Sequence, residues 1–284
     1  MADPQNTIAF QGALGANSDL ACRACKPDMT TLPCRTFEDA FAAVTGGAAR
    51  LALIPIDNTV AGRVADIHHL LPNSGLHIVG EHFQPVHHHL LAIKGAEIGD
   101  LTHVHSHIHA LNQCRNLIKR LGVEPVVHVD TAGAAADIAK LGDKTQGAIA
   151  SALAAELYGL VSLEANIEDA THNTTRFLIM AREAEDPGPD AGDVITSFVF
   201  RVRNVPAALY KAMGGFATNG VNMTKLESYL IEGGFVAAQF YAEVDGHPEQ
   251  RNVRLALEEL DFFSDEVTIL GVFPASPARQ HLPT

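Results

Sequence analysis

Residues 184–193 read Ala-Glu-Asp-Pro-Gly-Pro-Asp-Ala-Gly-Asp. The prolines remove backbone donors and fix φ, the glycines loosen the chain, and the acids keep it in water. Such a stretch joins neither a helix nor a sheet core. It therefore divides the chain, and the hydrophobic grammar differs on its two sides. The expected organisation is a first domain over 6–183, a linker over 184–193 and a second domain over 194–284.

Before the linker, short apolar strands alternate with helical patterns. Strands are expected at Thr7–Phe10, Leu51–Pro55, Val126–Val129 and Gly147–Ala150. A helix is expected over Thr36–Val44, with Phe37, Phe41 and Val44 on one face and Thr36–Asp39 as a capping pair. A second is expected over His109–Leu121, where Leu111, Leu117, Ile118 and Leu121 give partial 3.6 periodicity. Alternation of this kind predicts α/β lobes with mostly parallel sheets.

After the linker, Ile195–Val202 alternates as a strand, and Pro206–Asn219 carries Leu209, Met213 and Phe216 at helical spacing. Val221–Ile231 and Phe235–Val244 flank Gly233–Gly234, a hairpin signal. Glu249–Leu260 is helical by its Val253, Leu257 and Leu260 stripe, and Glu266–Phe273 alternates again. The order βαββαβ is the ferredoxin-like unit.

The chain has 284 residues, 47% hydrophobic and 19% charged, with a formal net charge of −13. A packed core is within reach, and the acid surface repels nucleic acid and anionic membranes, so neither is an expected partner. An anionic ligand must then be held by donors built locally. No apolar run approaches the roughly 18–20 residues that span a bilayer. The start of the chain has no basic and apolar signal pattern. Four cysteines in this length are no disulfide framework, and a reducing cytoplasm is expected. Cys22 and Cys25 form a lone CxxC, read as a helical i, i+3 pair. Eleven of the fifteen histidines lie between His68 and His109. Alternating His103, His105, His107 and His109 suggest metal by strand geometry, but Ser106 is expected to end the strand and no carboxylate or Cys pattern completes a site. No metal is expected.

Several loops share one design, in which a strand ends, small or hydroxyl residues follow and a helix begins. They are Gln11–Ser18, Ser106-His107 ahead of the helix with Gln113, Asp130-Thr131 and Ala150-Ser151. The plain reading of each is N-capping. Four in one domain also suit a shared anion, because helix N-termini present unpaired N–H groups and a positive dipole end. The run Thr171–Met180 sets polar groups just ahead of a strand. Arg176 can clamp a carboxylate, and Thr175 can donate a hydrogen bond to a departing hydroxyl.

Taken together, these residues resemble the prephenate dehydratase family over nearly the whole chain. The glycine loop ending at Ser18 is similar to its first motif. Pro55-Ile56-Asp57-Asn58-Thr59-Val60-Ala61-Gly62 resembles Pro-x-Glu-Asn-Ser-x-x-Gly, with Asp for Glu and Thr for Ser. Leu71–Leu76 and Ile78–Glu81 match as well. Ser106-His107 with Ala110-Leu111 and Gln113-Cys114 resembles Ser-His-Pro-Gln-Ala-Leu-x-Gln-Cys, with Ile108 and His109 departing. Asn173 and Thr175-Arg176-Phe177 match the Thr-Arg-Phe signature.

The resemblance implies a catalytic domain of two α/β lobes around a cleft, like a periplasmic binding protein, followed by a ferredoxin-like ACT domain that senses phenylalanine. It implies loss of water and CO2 from prephenate to give phenylpyruvate, no cofactor, and a homodimer or homotetramer. Thr175 is the expected hydroxyl donor, with Arg176, Asn58, Thr59, Ser106 and His107 also catalytic. Ser18, Gln113, Thr131, Ser151, Asn173 and Phe177 are expected to bind substrate. Ala207, Ala208, Leu209, Asn222, Met223, Glu227 and Ser228 are expected around phenylalanine. Two features of the second domain depart from the family. Val205-Pro206-Ala207-Ala208-Leu209 stands where Gly-Ala-Leu is usual, and Glu227-Ser228-Tyr229-Leu230 stands for Glu-Ser-Arg-Pro. An arogenate dehydratase is the near alternative, and a non-catalytic amino-acid sensor the distant one.

Overall fold

A computed structural model describes residues 3–64, 67–203, 205–230 and 237–281. Gly233–Gly234, the adjoining Ile231 and Phe235, and Asn204 lie outside the described residues, so the expected hairpin turn does too.

The chain opens with β1 (Thr7–Gln11), α1 (Asn17–Cys25), β2 (Thr30–Cys34), α2 (Phe37–Thr45), β3 (Leu51–Asn58) and β4 (Gly62–Arg63). After α3 (Ile67–Leu70) come β5 (His77–Pro85) and β6 (His89–Ala92). The middle of the chain holds β7 (His103–His107), α4 (Ile108–Gln113), α5 (Arg115–Leu121), β8 (Glu124–His128), α6 (Thr131–Leu141), β9 (Gln146–Ala150), α7 (Ala152–Tyr158) and β10 (Val161–Ala165), and β11 (Thr174–Ala181) follows. Past the linker lie β12 (Val194–Val202), α8 (Ala208–Thr218), β13 (Met223–Leu230), β14 (Ala237–Asp245), α9 (Arg251–Phe263) and β15 (Ser264–Pro274).

Two compact units result, and their boundary does not follow the linker. One is Met1–Arg63 with His82–Phe177, the other Val64–Glu81 with Leu178–Thr284. The first unit holds two sheets. One runs β2-β1-β3-β11-β5 with β4 paired to β3; the chain returns from the second unit to the first within β5 and leaves the first for the second within β11. The other runs β10-β6-β9-β7-β8. Pairs of β1 with β2 and β3, and of β7 with β8 and β9, are parallel, as crossover helices require. β6 is antiparallel to both β9 and β10, so the second sheet is mixed.

Local chemistry sets the helix ends. Thr36, Asp130 and Ser151 cap α2, α6 and α7, accepting from the N–H of Asp39, Gly133 and Ala154. The expected single helix over His109–Leu121 is instead two, broken at the buried Cys114 (φ −125°, ψ 33°). Asp169 causes the break. Its N–H donates to the Gln113 carbonyl (2.6 Å), and its carboxylate accepts from Arg115 N (2.9 Å) and Asn116 N (3.2 Å). A carboxylate from far along the chain therefore caps α5, which periodicity does not reveal.

In the second unit the order is βαββαβ, with sheet order β13-β14-β12-β15 and antiparallel pairing. Its core is aromatic: Phe198 stacks on Phe216, and Phe200 on Phe240. Ala212, Val253, Ala256 and Leu260 bury the helix faces against that sheet. The segment before Glu81 groups here for two reasons. The Ile78 carbonyl lies so close to Gly271 that a Cβ there would meet it at 2.0 Å, so only glycine fits. Glu81, itself buried, also accepts from Arg279 Nε (2.6 Å) and Ser276 N (2.8 Å).

Ala207, just ahead of α8, has φ +61°, a left-handed conformation that costs an L-residue about 1–2 kcal/mol. Glycine there relieves that strain but adds entropy to the unfolded chain. Ala207→Gly is expected to raise stability by about 0.5–1 kcal/mol, read as a higher urea midpoint at unchanged slope. A lowered midpoint would contradict the strain.

Candidate active site

The polar residues at the end of β3 and the start of β11 meet in the first unit. Asn58 is the centre. Its Oδ1 accepts from Val60 N (3.0 Å) and Ala61 N (2.7 Å), the two N–H groups of the turn after β3. Backbone N–H groups cannot reverse, so Oδ1 must face them and Nδ2 must face the other way. Nδ2 donates to Asn173 Oδ1 (2.8 Å) and to Thr175 Oγ1 (3.0 Å). With its carbonyl so used, Asn173 donates from Nδ2 to Gln113 Oε1 (2.9 Å). Gln113 Oε1 then also faces His88 Nε2 (2.9 Å), which must carry the proton. One polarity thus runs from a backbone turn through three amides to a histidine.

Thr59 binds the same two elements together. Its hydroxyl donates to the His172 carbonyl (2.6 Å) and accepts from Thr174 N (2.9 Å). Thr175 is half-buried. Its oxygen accepts from Asn58, and among the described residues its own hydrogen has no acceptor. The Gln113 Nε2 group likewise has no acceptor among them. Within this cluster these two side chains keep a donor for a ligand.

The structure brings together Asn58, Thr59, Gln113, Asn173 and Thr175. The other expected residues lie apart from this cluster. Ser106 does not open the helix. It lies within β7, fully buried, and its hydroxyl donates to the Ile149 carbonyl (2.6 Å). His107 is the N-cap of α4, its Nδ1 accepting from His109 N (3.3 Å). Ser151 donates to the Gly15 carbonyl (2.5 Å) while it caps α7. Phe177 is core, and Arg176 is buried beside Asp57 (4.0 Å) with Phe83 5.9 Å from its guanidinium carbon. Ser18 lies in the first turn of α1, where the buried Asp19 accepts from Gly15 N (2.8 Å). Thr131 begins α6 behind the Asp130 cap. At α1 and α6 the chain's own carboxylates already meet the helix N-terminus.

In the second unit, Asn222 Nδ2 donates to Asp245 Oδ2 (2.7 Å), which turns its Oδ1 away from that carboxylate. Asn222 borders a cavity of about 620 Å³ also lined by Val221, Asp245 and Arg279. Ala207 and the buried Ala208 stand at the start of α8, and Leu209 and Met223 pack on the core. Lys225 Nζ lies 3.5 Å from Glu227, whose neighbour on β13 is Ser228.

The histidine alternation ends at His107. His103 meets Thr102 Oγ1 (2.8 Å) and His105 meets Gln146 (2.7 Å), and among the described residues no three metal-binding side chains converge. Cys22 and Cys25 lie in α1 as free thiols, each raised by burial above all. Sequence reasoning missed His88, Glu168 and Asp169. The histidine is one of three in a row, and nothing local marks which one faces Gln113.

A mixed α/β enzyme whose free side-chain donors are a hydroxyl and an amide is equipped to hold an oxygen-rich substrate and assist a departing oxygen. The family model for prephenate dehydratase matches residues 8–185. The bifunctional N-acyl-homoserine lactone acylase/prephenate dehydratase of Komagataeibacter europaeus is 55% identical over 97% of this chain and 98% of its own length. Arogenate dehydratase/prephenate dehydratase 1 of Arabidopsis thaliana is 36% identical over 98% of this chain and 74% of its own. The structure of prephenate dehydratase from Arthrobacter aurescens in complex with L-Phe is 29% identical, with a TM-score of 0.86 over 94% of this chain and 89% of that one. The chain belongs to the prephenate dehydratase family, and it is a hydro-lyase.

His88 also shapes the response to acid. It is 2% exposed, and burial above all holds its pKa below the ordinary 6.5. The Gln113 bond and the charge of Glu168 work against that, and His89 and His87 reinforce it. Below about pH 6.5 the unfolded chain binds a proton that the folded site resists. The stability is fully present above that value and is lost as pH falls toward the folded pKa. Urea midpoints are expected to drop between about pH 7 and about pH 5.5, and less so in His88→Gln. Equal losses in the two proteins would rule His88 out as the cause.

Proposed function

We propose that this chain converts prephenate to phenylpyruvate, water and CO2, and that residues 194–284 form an ACT domain through which phenylalanine regulates it. The observation that carries the catalytic reading is the Thr175 hydroxyl, its oxygen fixed by Asn58 and its hydrogen free. In prephenate the ring carboxylate leaves as CO2. Its bonding pair enters the ring, and the ring C–O bond breaks at the far carbon. The leaving oxygen gathers negative charge and takes a proton on its way to water. A threonine hydroxyl is too weak an acid to deliver that proton fully, so Thr175 stabilises the departing oxygen by a hydrogen bond, with solvent supplying the proton. Gln113 Nε2 is suited to a substrate carboxylate, and Asn58, Thr59 and Asn173 hold the geometry.

The arogenate dehydratases among the relatives mark the nearest alternative substrate, which has an amine where prephenate has a keto group. The other activity in the name of the Komagataeibacter relative, an acylase, calls for an activated nucleophile. Here Ser106 and Ser151 are spent on backbone carbonyls, and the four cysteines are free thiols whose pKa values are all raised, by burial above all. The dehydratase reading is therefore the better supported.

Thr175→Ala is expected to lower kcat about 10²–10³-fold with little change in KM, because the bond matters most as the C–O bond breaks, and Thr175→Ser to keep most activity. Phenylpyruvate formation, with arogenate run in parallel, measures this. Near-normal turnover by folded Thr175→Ala would remove its role.

For the effector, Asn222 Oδ1 is suited to the ammonium group, the backbone at the start of α8 to the carboxylate, and Leu209 and Met223 to the ring wall. Asn222→Ala is expected to weaken phenylalanine binding about tenfold, near 1.4 kcal/mol, by calorimetry. Undiminished affinity would exclude Asn222 from the site.

A further inference from the structure

The hydrogen-bonded chain through the candidate active site does not end at Gln113. It begins one residue earlier, at a histidine that bonds the carbonyl end of the Gln113 amide and offers no group of its own to substrate. We propose that His88 is a positioning residue for the dehydration, its Nε2–H acting through Gln113, Asn173 and Asn58 to hold the Thr175 oxygen in place; the proposal rests on the dehydratase reading above.

Polarity is the first argument. Every link has only one possible sense once Val60 N and Ala61 N are seen to occupy the Asn58 carbonyl. Reversing any one amide would set two NH2 groups, or two carbonyls, against each other at 2.8–2.9 Å. A neutral histidine with its proton on Nδ1 would present a lone pair to Gln113 Oε1 and bury an N–H that has no partner among the described residues. The Nε2–H form leaves only a bare acceptor at that buried position, which is the lesser cost.

Placement is the second. His88 is itself held before it holds anything. Its backbone N–H donates to Glu168 Oε2 (2.9 Å), while Glu168 Oε1 binds the His87 ring (2.9 Å). The residue next in sequence, Asp169, donates its N–H to the Gln113 carbonyl (2.6 Å). The pair Glu168-Asp169 thus fixes both partners of the His88–Gln113 bond by their backbones. His88 directly precedes β6 of one sheet, and Asn173 directly precedes β11 of the other. The chain of bonds therefore joins the two sheets of the first unit and is complete only when Gln113 reaches Asn173.

The effect on chemistry follows. Gln113 Oε1 accepts from both Asn173 and His88, which uses both its lone-pair directions and leaves Nε2 as an outward donor of fixed direction. Without the His88 donor, Gln113 has one anchor instead of two, and its amide can swing. Asn173 and Asn58 then lose their fixed register, and the Thr175 oxygen shifts relative to the departing hydroxyl. A small misplacement of such a donor is felt in the chemical step more than in binding.

The test uses the full chain. The ¹⁵N shifts of the His88 ring, assigned by difference against His88→Gln, are expected to show a protonated Nε2 and a bare Nδ1. His88→Leu, of similar bulk without a donor, is expected to lower kcat for prephenate about 10–100-fold while KM moves less. A glutamine places its amide N–H near Nε2, and an asparagine places it near Nδ1. His88→Gln is therefore expected to recover to within about threefold of wild type, and His88→Asn to stay slow. In a cycle with Gln113→Leu the losses should be strongly non-additive. An Nδ1–H tautomer, wild-type kcat in folded His88→Leu, equal rates for Gln and Asn, or additive losses would each overturn the proposal. If His88→Leu fails to fold, the Gln and Asn pair decides. Wild-type protein inert toward prephenate would instead overturn the dehydratase reading and leave the tautomer to decide the relay.

Discussion

The orientation of one amide governs the site. A free asparagine side chain can present either end to a partner. Asn58 cannot, because two backbone N–H groups occupy its carbonyl. That choice passes to Asn173, to Gln113 and to His88, and it decides that the Thr175 oxygen accepts rather than donates. A network of neutral groups is cooperative when complete and costly when one member is missing, so its parts behave as a unit. Thr59 adds the second tie between the same elements, and it does so with a hydroxyl that gives one bond and receives another. The family's serine at that position could do the same, so the exchange of Ser for Thr leaves the tie intact. The exchange of Glu for Asp at Asp57 shortens the carboxylate by one methylene, and it stands at 4.0 Å from Arg176.

How much of this was legible in the sequence depended on how local the cause was. Caps at Thr36, Asp130 and Ser151 act within three residues, and the helices begin where those residues predict. Alternation of phenylalanines marked β12, and the βαββαβ order was read from periodicity together with the Gly233–Gly234 hairpin signal. The break between α4 and α5 was not legible, because its cause is Asp169, far along the chain. Ile108 stands where the family has proline at the first turn, yet the helix still starts there, since the N–H at that position needs no intrahelical partner and His107 supplies the cap.

The same distinction sorts the site residues. Asn58, Thr59, Gln113, Asn173 and Thr175 were legible through their motifs, and the fold brings them together. Ser106 and Ser151 looked like ligand-binding hydroxyls. Their partners, the carbonyls of Ile149 and Gly15, belong to distant strands and loops, and a sequence holds no sign that a hydroxyl is already taken. His88 was hidden for the opposite reason: three adjacent histidines look alike until the fold buries one of them against Gln113.

Charge then explains why amides and a hydroxyl, rather than cations, lead this site. The chain carries a net −13, and the proposed substrate, prephenate, is dianionic. Two helix N-termini already face Asp19 and Asp130, and Arg176 is buried beside Asp57. Neutral donors have one advantage here. They need no counter-charge and little desolvation when the site is empty, yet they gain strength as negative charge gathers on the departing oxygen. Their weakness is that an amide or hydroxyl has no fixed direction of its own. A site built from them needs its directions imposed from outside, by backbone N–H groups at one end and by a buried histidine at the other. The length of the hydrogen-bonded chain is the consequence of using neutral groups for an anionic transition state.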